Sequence, residues 1–394
     1  MRAAHRANGS VPRLITKLGP GTLAISGDSS GTPTNSQDAA LTNSTFSISA
    51  GTVLLKGTAG NTANLPGITN WNVGSTGTLA MAKAGCLGPA AIGLAGGTLQ
   101  TAAPMSFSNA IAITGSGTID TAGNSATYAG SIVSSGALTK SGGGSLTLTN
   151  VRTAALTVSA GTLAIAAGGG NAGTSRVSGL TNAGLIDLSD HSLIVDYGGS
   201  SPVVSVRQML INGYANGDWS GSAGINSSSA HADGGFHHTL GYAEAANLGA
   251  TTFAGQSGIS SAVLVKYTYP GDSNLDGVVD LDNDFSLFVY GYSRQVSDPG
   301  SLNAGNLWQY GDYNYDGVID LDNDFSIFVN AYNFGGPQIS QLQQSVGLDA
   351  DLTISQKESM LSAVPEPGVG LIGLIGLAGY SGRGRRRNPA PVAR

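Results

Sequence analysis

Two acidic stretches of this chain have the residue types and the spacing of a metal-binding loop. GDSNLDGVVDLDNDFSLFV begins at Gly271, and GDYNYDGVIDLDNDFSIFV begins at Gly311. Calcium prefers about six to eight oxygen ligands, and an EF-hand-type loop supplies them from positions 1, 3, 5, 7 and 9, with glycine at 6 and a carboxylate at 12. The ligands predicted on this pattern are Asp272, Asn274, Asp276, Val278 and Asp280, then Asp312, Asn314, Asp316, Val318 and Asp320. Position 7 uses a backbone carbonyl, so the two valines fit, and the sequence predicts two Ca²⁺ sites.

The last ligand of each loop is ambiguous. Position 12 holds Asn283 in the first copy and Asn323 in the second, and an aspartate follows one residue later, Asp284 or Asp324. Apolar residues at helical spacing come next in both copies. An aspartate at the start of a helix interacts favourably with the helix dipole and can also close the metal loop. We therefore predict Asp284 and Asp324 as the closing ligands of loops that are one residue longer than usual, with Asn283 and Asn323 as the alternatives.

A pair of acidic, solvated turns is the alternative to a metal site. The two copies, however, agree at 16 of 22 positions over residues 271–292 and 311–332, and every predicted ligand is retained. Carboxylates packed this closely would repel one another without a cation.

Two such loop-helix units, over residues 269–335, resemble a dockerin domain, which is a duplicated calcium loop with its helices. The resemblance implies calcium as the cofactor and a cohesin-like protein, or a surface polymer, as the partner. Dockerins carry aspartate at position 12, so the shifted Asp284 and Asp324 depart from the family pattern.

The rest of the chain is poor in charge. Of 394 residues 11% are charged and 60 are glycine, whereas about 25% charged residues and about 7% glycine are usual. Five acidic residues lie within residues 1–190, and eleven lie within residues 271–324. The net charge of −6 is therefore a local feature, and the composition excludes a broad basic surface for nucleic acid. The single cysteine, Cys86, is expected to be a small buried apolar residue.

Residues 1–190 contain a repeated unit. GPGTLAIS at Gly19, SAGTVLLK at Ser49 and SAGTLAIA at Ser159 are examples, and successive copies are 17 to 30 residues apart. Each unit has a glycine turn and then residues that alternate with a period of two, which predicts a short strand. Strands at this spacing fit the coils of a solenoid that share one core. We predict a mainly β fold with a right-handed parallel β-helix; a β-sandwich of short strands is the alternative.

These repeats resemble the autotransporter-associated β-strand repeat, and residues 19–26 and 159–165 match it best. The resemblance implies a β-helical stalk on a secreted or surface protein.

Residues 191–268 are predicted to be a small α+β connecting segment. Strands are expected at residues 192–197, 240–243 and 262–268, and a helix is expected in VVSVRQMLINGY after Pro202. His231, His237 and His238 lie close together in sequence, and we interpret them as part of a polar loop rather than as a metal site. Residues 336–363 are predicted to be a linker with short helices.

The C-terminal residues 364–387 resemble a PEP-CTERM sorting signal. Pro365, Glu366 and Pro367 precede a short apolar run, and Arg385, Arg386 and Arg387 follow it. As a helix, the run would be about 20 Å long, which is short for a hydrocarbon core of about 30 Å. The resemblance implies export, an exosortase-type processing enzyme as a partner, transient membrane contact, and a mature protein on or outside the cell surface. The N-terminus lacks an apolar signal-peptide segment, and we interpret the start of the chain as either truncated or wrongly assigned.

With these three resemblances, the chain is similar to a planctomycete-type exported protein. This similarity implies a protein without enzymatic activity at the cell surface or in the extracellular matrix. The alternative is a polysaccharide-active β-helix enzyme attached through a dockerin to a cohesin-type scaffold. Glycosidases need two facing carboxylates, whereas residues 13–190 contain five scattered aspartates and neither glutamate nor histidine. This composition favours the non-enzymatic hypothesis.

Overall fold

The structure is a computed structural model of the chain. It describes residues 12–26, 43–57, 65, 67–234, 237–298, 300, 302–303, 305–334 and 339–364. The predicted sorting signal at residues 365–387 lies outside the described residues.

The first half of the chain is a parallel β-solenoid of about seven turns. Its strands are β1 (Leu14–Lys17), β2 (Thr22–Ile25), β3 (Ser44–Leu55), β4 (Ile68–Met81), β5 (Ala91–Ala95), β6 (Thr98–Thr101), β7 (Met105–Phe107), β8 (Ile111–Ile113), β9 (Ser116–Asp120), β10 (Ala126–Tyr128), β11 (Ile132–Ser134), β12 (Ala137–Ser141), β13 (Ser145–Leu148), β14 (Arg152–Thr153), β15 (Ala155–Val158), β16 (Thr162–Ile165), β17 (Ser175–Val177), β18 (Leu180–Asn182), β19 (Leu185–Asp187), β20 (Leu193–Asp196) and β21 (Gly224–Asn226). One sheet runs β11-β8-β5-β4-β6-β9-β12-β15-β18, with β3 beside β4 and with β1 and β2 beside β3; a second runs β21-β19-β16-β13-β10-β7. The predicted solenoid is confirmed, and the β-sandwich alternative is wrong.

Alternating residues explain why the coils stack. Leu146 of β13 lies beside Leu163 of β16, which lies beside Ile186 of β19, and all three are buried. The intervening residues of each strand are less buried, as a period of two requires. Each coil thus covers the apolar side chains of its neighbour, and the glycine that precedes the motif allows close contact: Gly161 has φ 68°, and a Cβ there would overlap the carbonyl oxygen of Gly144.

A third sheet joins the solenoid to the connecting segment. It runs β14-β17-β20-β25-β22, with β22 (Thr239–Glu244) and β25 (Ala262–Thr268). The pairs up to β20 are parallel, whereas β25 is antiparallel to both β20 and β22. The sheet therefore runs across the predicted domain boundary at residue 190.

The remaining elements are short. They are α1 (Val203–Tyr214), α2 (Ser228–Ala232), the hairpin β23 (Thr252–Phe253) and β24 (Gln256–Ser257), and the helices α3 (Ser286–Ser297), α4 (Ser326–Phe334), α5 (Ile339–Leu348) and α6 (Ile354–Ala363). Helix α1 coincides with the predicted helix and packs on β21. Helices α5 and α6 lie in the predicted linker, and Leu342, Val346 and Met360 are buried there.

A buried lysine holds one corner of the solenoid. Lys140 of β12 is fully buried, and its Nζ donates to the Thr121 hydroxyl and to four backbone carbonyls at 2.6–3.0 Å. Three of them, those of Ser141, Gly142 and Gly144, follow it in the same coil, and that of Ala160 belongs to the next coil. Lys17 makes a more exposed version of this contact with the carbonyls of Leu18, Gly19 and Ala50. A buried charge is tolerated when its hydrogen bonds are satisfied, so the Lys140 ammonium replaces water for carbonyls at the corner.

Replacing Lys140 by methionine tests this role. Lys140→Met keeps most of the length of the side chain but removes the ammonium donor from four carbonyls, of which those of Ser141 and Gly144 also accept from a backbone amide. It should lower the free energy of unfolding by about 2 kcal/mol or more. Lys17→Met is the matched control and should cost less than about 1 kcal/mol, since water can reach its carbonyls. Urea unfolding of both variants measures the difference. Equal losses in the two variants would contradict the role of the buried contact.

Candidate metal centre

Each acidic loop ends in a π-helical turn. The turns are Leu281–Phe285 and Leu321–Phe325, and they lead directly into α3 and α4. The amide of Phe285 donates to the carbonyl of Asp280 and that of Phe325 to the carbonyl of Asp320, both at 3.1 Å, which is the i→i+5 bond of a π-helix. Such a turn accommodates one extra residue, and this is how the chain fits the extra position of DLDNDF.

The π-helical turn decides which side chain enters the loop. Asp284 is fully buried; its Oδ1 accepts from the amide of Asn274 at 3.2 Å and its Oδ2 from the amide of Asp280 at 2.8 Å. Asn283 is exposed, and its Nδ2 donates to Asp280 Oδ2 at 3.3 Å. Of the two alternatives for the first loop, the aspartate therefore lies inside it and the asparagine lies at the surface.

The second loop repeats this arrangement. Asp324 is fully buried and accepts from the amides of Tyr313 at 2.9 Å, Asn314 at 3.3 Å and Asp320 at 3.0 Å. Asn323 is exposed, and its Nδ2 donates to Asp320 Oδ2 at 3.1 Å.

The other predicted ligands divide into a buried and an open part. At position 1, Asp272 and Asp312 are fully buried and accept from the amides of the glycines at position 6 at 2.9 and 3.2 Å. At positions 5 and 7 the side chains are exposed in both loops: Asp276, Val278, Asp316 and Val318. At position 3, Asn274 and Asn314 are half-buried, and each Nδ2 donates to the aspartate at position 5 at 2.9 Å.

Position 9 has a different role. Asp280 and Asp320 precede the π-helical turns, and each accepts from the amide of the asparagine three residues later, at 2.8 and 2.7 Å. Both aspartates therefore cap the π-helical turns. In EF-hand-type loops, position 9 often reaches the ion through a water molecule, so this geometry remains compatible with the predicted ligand set.

No cluster of three or more His, Cys, Asp or Glu side chains able to hold a metal ion is present among the described residues. In each loop two carboxylates are buried, and the other predicted donors are an amide, a backbone carbonyl and carboxylates nearer to solvent. Hard oxygen donors of this kind suit calcium. The residues present fit the ion through their chemistry and their burial.

Burial changes the acidity of the enclosed carboxyls. Loss of hydration raises the pKa of Asp284 and of Asp324 to about 8, and it raises the pKa of Asp272 to about 6. The amides that donate to these carboxylates oppose the shift only in part. The closed loops therefore favour a proton or a cation on these groups.

Aromatic packing between the helices fixes the two loops relative to each other. The rings of Phe285, Phe288, Phe325 and Phe328 are buried together, with Phe288 and Phe325 at 5.4 Å between ring centroids. This is the apolar helical face that the sequence predicts. The loops also touch directly, because the hydroxyls of Ser273 and Tyr313 are 2.7 Å apart.

The histidines have separate partners. His231 contacts Asp218 at 3.2 Å, His238 contacts Asp233 at 2.6 Å, and the ring of His237 stacks on Phe334. This agrees with the interpretation as a polar loop. Cys86 is buried, as expected, and burial raises the pKa of its thiol to about 11.

Two residues next to the loops are not part of the sequence-based prediction. Arg207 Nη2 lies 2.7 Å from Asp312 Oδ2, and Lys266 Nζ lies 3.8 Å from Asp272 Oδ2. Arg207 is 105 positions away from Asp312, so the motif itself does not indicate this contact. The composition offers a signal, because Arg207 and Lys266 are the two Lys or Arg residues of segment 191–268.

Comparison with known proteins identifies no relative, since no family model, no curated protein and no solved structure matches the chain. Within the described ranges, no helix is long and apolar enough to cross a membrane.

Removal of metal should make the stability of the chain depend on pH. The folded pKa of Asp284 and of Asp324 is about 8, and an exposed aspartate has a pKa of about 3.9. The folded state thus retains protons that the unfolded chain has lost. Their contribution to stability is present below about pH 4 and is lost as the pH rises to about 8. We expect the metal-free chain to become less stable over this range, and excess Ca²⁺ to weaken the dependence.

Urea unfolding at several pH values, with chelator and with Ca²⁺, measures this effect. The double variant Asp284→Asn/Asp324→Asn is the control, because neutral amides remove the titration. A metal-free chain that responds to pH like this double variant would show that the carboxyls are not held in the closed loops.

Proposed function

We propose that this chain is a non-enzymatic, exported protein of the cell surface or extracellular matrix, and that its dockerin-like module binds two calcium ions that stabilise it. One observation carries the proposal: Asp284 and Asp324 are buried at equivalent places in two copies of one loop. An isolated charge is costly to bury, so repeated burial without an ion would penalise the fold twice. A bound Ca²⁺ in each loop would remove the penalty.

The solenoid supports a structural rather than a catalytic role. Three of its described aspartates accept from backbone amides: Asp120 from that of Ala122 at 2.8 Å, Asp187 from that of Ser189 at 2.9 Å, and Asp190 from that of Gly168 in the preceding coil at 3.0 Å. Carboxylates used in this way are not poised as the acid and base of a glycosidase. The proposal includes a right-handed winding, because nearly all crossovers between parallel strands have this hand.

Export is the part of the proposal that rests on sequence. Pro365, Glu366, Pro367 and the three arginines from Arg385 would serve as the signal for an exosortase-type enzyme, with transient membrane contact before cleavage. Outside the cell, calcium is abundant, and extracellular modules function with dissociation constants of about 10⁻⁴–10⁻³ M. Loops that expose the residues at positions 5 and 7 to solvent, as these do, would therefore be occupied there even at such modest affinities.

Calorimetric titration of the metal-stripped full chain tests the calcium sites. We expect two equivalents of Ca²⁺, and at free Ca²⁺ of 100 times the dissociation constant each site should add about 2.7 kcal/mol of stability. Asp284→Asn and Asp324→Asn should each remove one equivalent, because a neutral amide replaces the buried carboxylate.

Asn283→Ala and Asn323→Ala are the matched controls and should retain both equivalents, since their side chains lie outside the loops. Loss of binding in these variants would move the closing ligand to the asparagine. No binding by the unaltered chain would refute the calcium proposal.

A further inference from the structure

Each calcium loop is contacted by one basic side chain of segment 191–268, and the two contacts are equivalent. In the first loop, Lys266 Nζ of β25 lies 2.6 Å from the carbonyl oxygen of Leu275 and 3.8 Å from Asp272 Oδ2. Leu275 occupies position 4 and Asp272 position 1. The ammonium therefore touches one backbone oxygen and one buried carboxylate of the loop.

Arg207 of α1 makes the equivalent contacts in the second loop. Its Nη2 lies 3.2 Å from the carbonyl oxygen of Tyr315, at position 4, and 2.7 Å from Asp312 Oδ2, at position 1. A helix and a strand thus place different basic side chains on the same two atoms of each copy. Because segment 191–268 has no other Lys or Arg, this use of both is a specific arrangement.

The residues at position 4 are held by the same segment. Leu275 and Tyr315 have φ of 60° and 65°, in the left-handed region that side chains other than glycine rarely adopt, and both are buried. The Tyr315 hydroxyl donates to the carbonyl of Leu240 in β22, and its ring lies 5.1 Å from that of Tyr214 at the end of α1. These contacts stabilise a backbone conformation that would otherwise be unfavourable.

The first loop packs against β22 at a glycine, where the strand has no side chain. Gly241 faces Leu275, and a Cβ at Gly241 would lie 2.9 Å from Leu275 Cδ2 and 2.6 Å from Trp308 Nε1. Trp308 is fully buried and lies just before the second loop. The absence of a side chain at Gly241 therefore leaves room for residues of the calcium module against the strand.

We propose that segment 191–268 is an intramolecular docking surface for the calcium loops, in which Lys266 and Arg207 are positioning residues that couple calcium binding to docking of the module on this segment. The inference rests on the calcium binding proposed above. The two cations, and the contacts that hold the residues at position 4, fix the carboxylates at position 1. These carboxylates, Asp272 and Asp312, also belong to the predicted ligand sets. Calcium that closes the loops then stabilises α1 and β22 as well. The partner of this face is the chain itself, so an outside protein would have to bind the module elsewhere.

Hydrogen exchange of the full chain, measured by mass spectrometry with chelator and with Ca²⁺, tests the coupling. In the unaltered chain, Ca²⁺ should slow exchange in α1 and in the edge strand β22 by about tenfold or more. In Arg207→Met/Lys266→Met, calorimetry should show two equivalents of Ca²⁺ at saturation, with a changed affinity because the position 1 carboxylates lose their cations, and exchange within the loops should still slow. The response of α1 and β22 should fall below about twofold, because the loops no longer hold them.

Arg176→Met is the matched control. Arg176 also makes an arginine–aspartate pair, with Asp196 at 2.6 Å, but this pair lies on the solenoid side of the third sheet. Its variant should show the calcium response of the unaltered chain. If the double variant does not fold, Lys266→Met alone replaces it, with β22 as the readout, since the contact of Lys266 with its aspartate is the longer one.

The outcomes separate the two proposals. Absence of calcium binding in the unaltered chain would refute the calcium sites and the coupling together. Two bound ions with no change of exchange in α1 and β22, or an unchanged response in the variant, would overturn the coupling and leave the calcium sites intact.

Discussion

A carboxylate that is removed from water must be compensated by other charges or by hydrogen bonds. The C-terminal half of this chain is organised around four such groups: Asp272, Asp284, Asp312 and Asp324, all fully buried. Backbone amides donate to each of them, and two cations from the connecting segment reach the pair at position 1. The raised pKa values of Asp284 and Asp324 show that these contacts alone leave part of the cost uncompensated. The proposed calcium ions supply the remainder.

The solenoid satisfies the same constraint with the signs reversed. Its one fully buried lysine, among the residues that the structure describes, is surrounded by carbonyl oxygens at the corner of a coil. Elsewhere the core consists of uncharged side chains, with aliphatic ladders between parallel strands, such as Leu146, Leu163 and Ile186, and aromatic pairs such as Phe46 and Trp71. The two halves meet through the third sheet, where β25 pairs with β20 of the solenoid and also carries Lys266 to the first acidic loop. The acidic loops and the solenoid, which is poor in charge, are thus joined through α1, β22 and β25.

Patterns that are local in sequence predicted much of this structure. Alternation after a glycine predicted the coils, and the segments at 203–214 and 262–268 became α1 and β25. The sequence left open whether Asn283 or Asp284 closes the first loop. The answer depends on a π-helical turn, and the residue types of this stretch do not by themselves indicate its i→i+5 hydrogen bond. Arg207 and Asp312 are 105 positions apart, and the carbonyls bound by Lys140 include that of Ala160 in the next coil. Neither contact follows from a local pattern. The sorting signal and its processing remain predictions.

The most direct test of the account is a crystal structure of the full chain grown with Ca²⁺, with anomalous scattering used to identify the ions. We expect one ion in each loop, with an Asp284 or Asp324 carboxylate oxygen at about 2.3–2.6 Å from it and the π-helical turn retained. Asn283 and Asn323 should remain outside at the surface. Loops without ions at saturating Ca²⁺, or ions bound by the asparagines with the aspartates turned away, would contradict it.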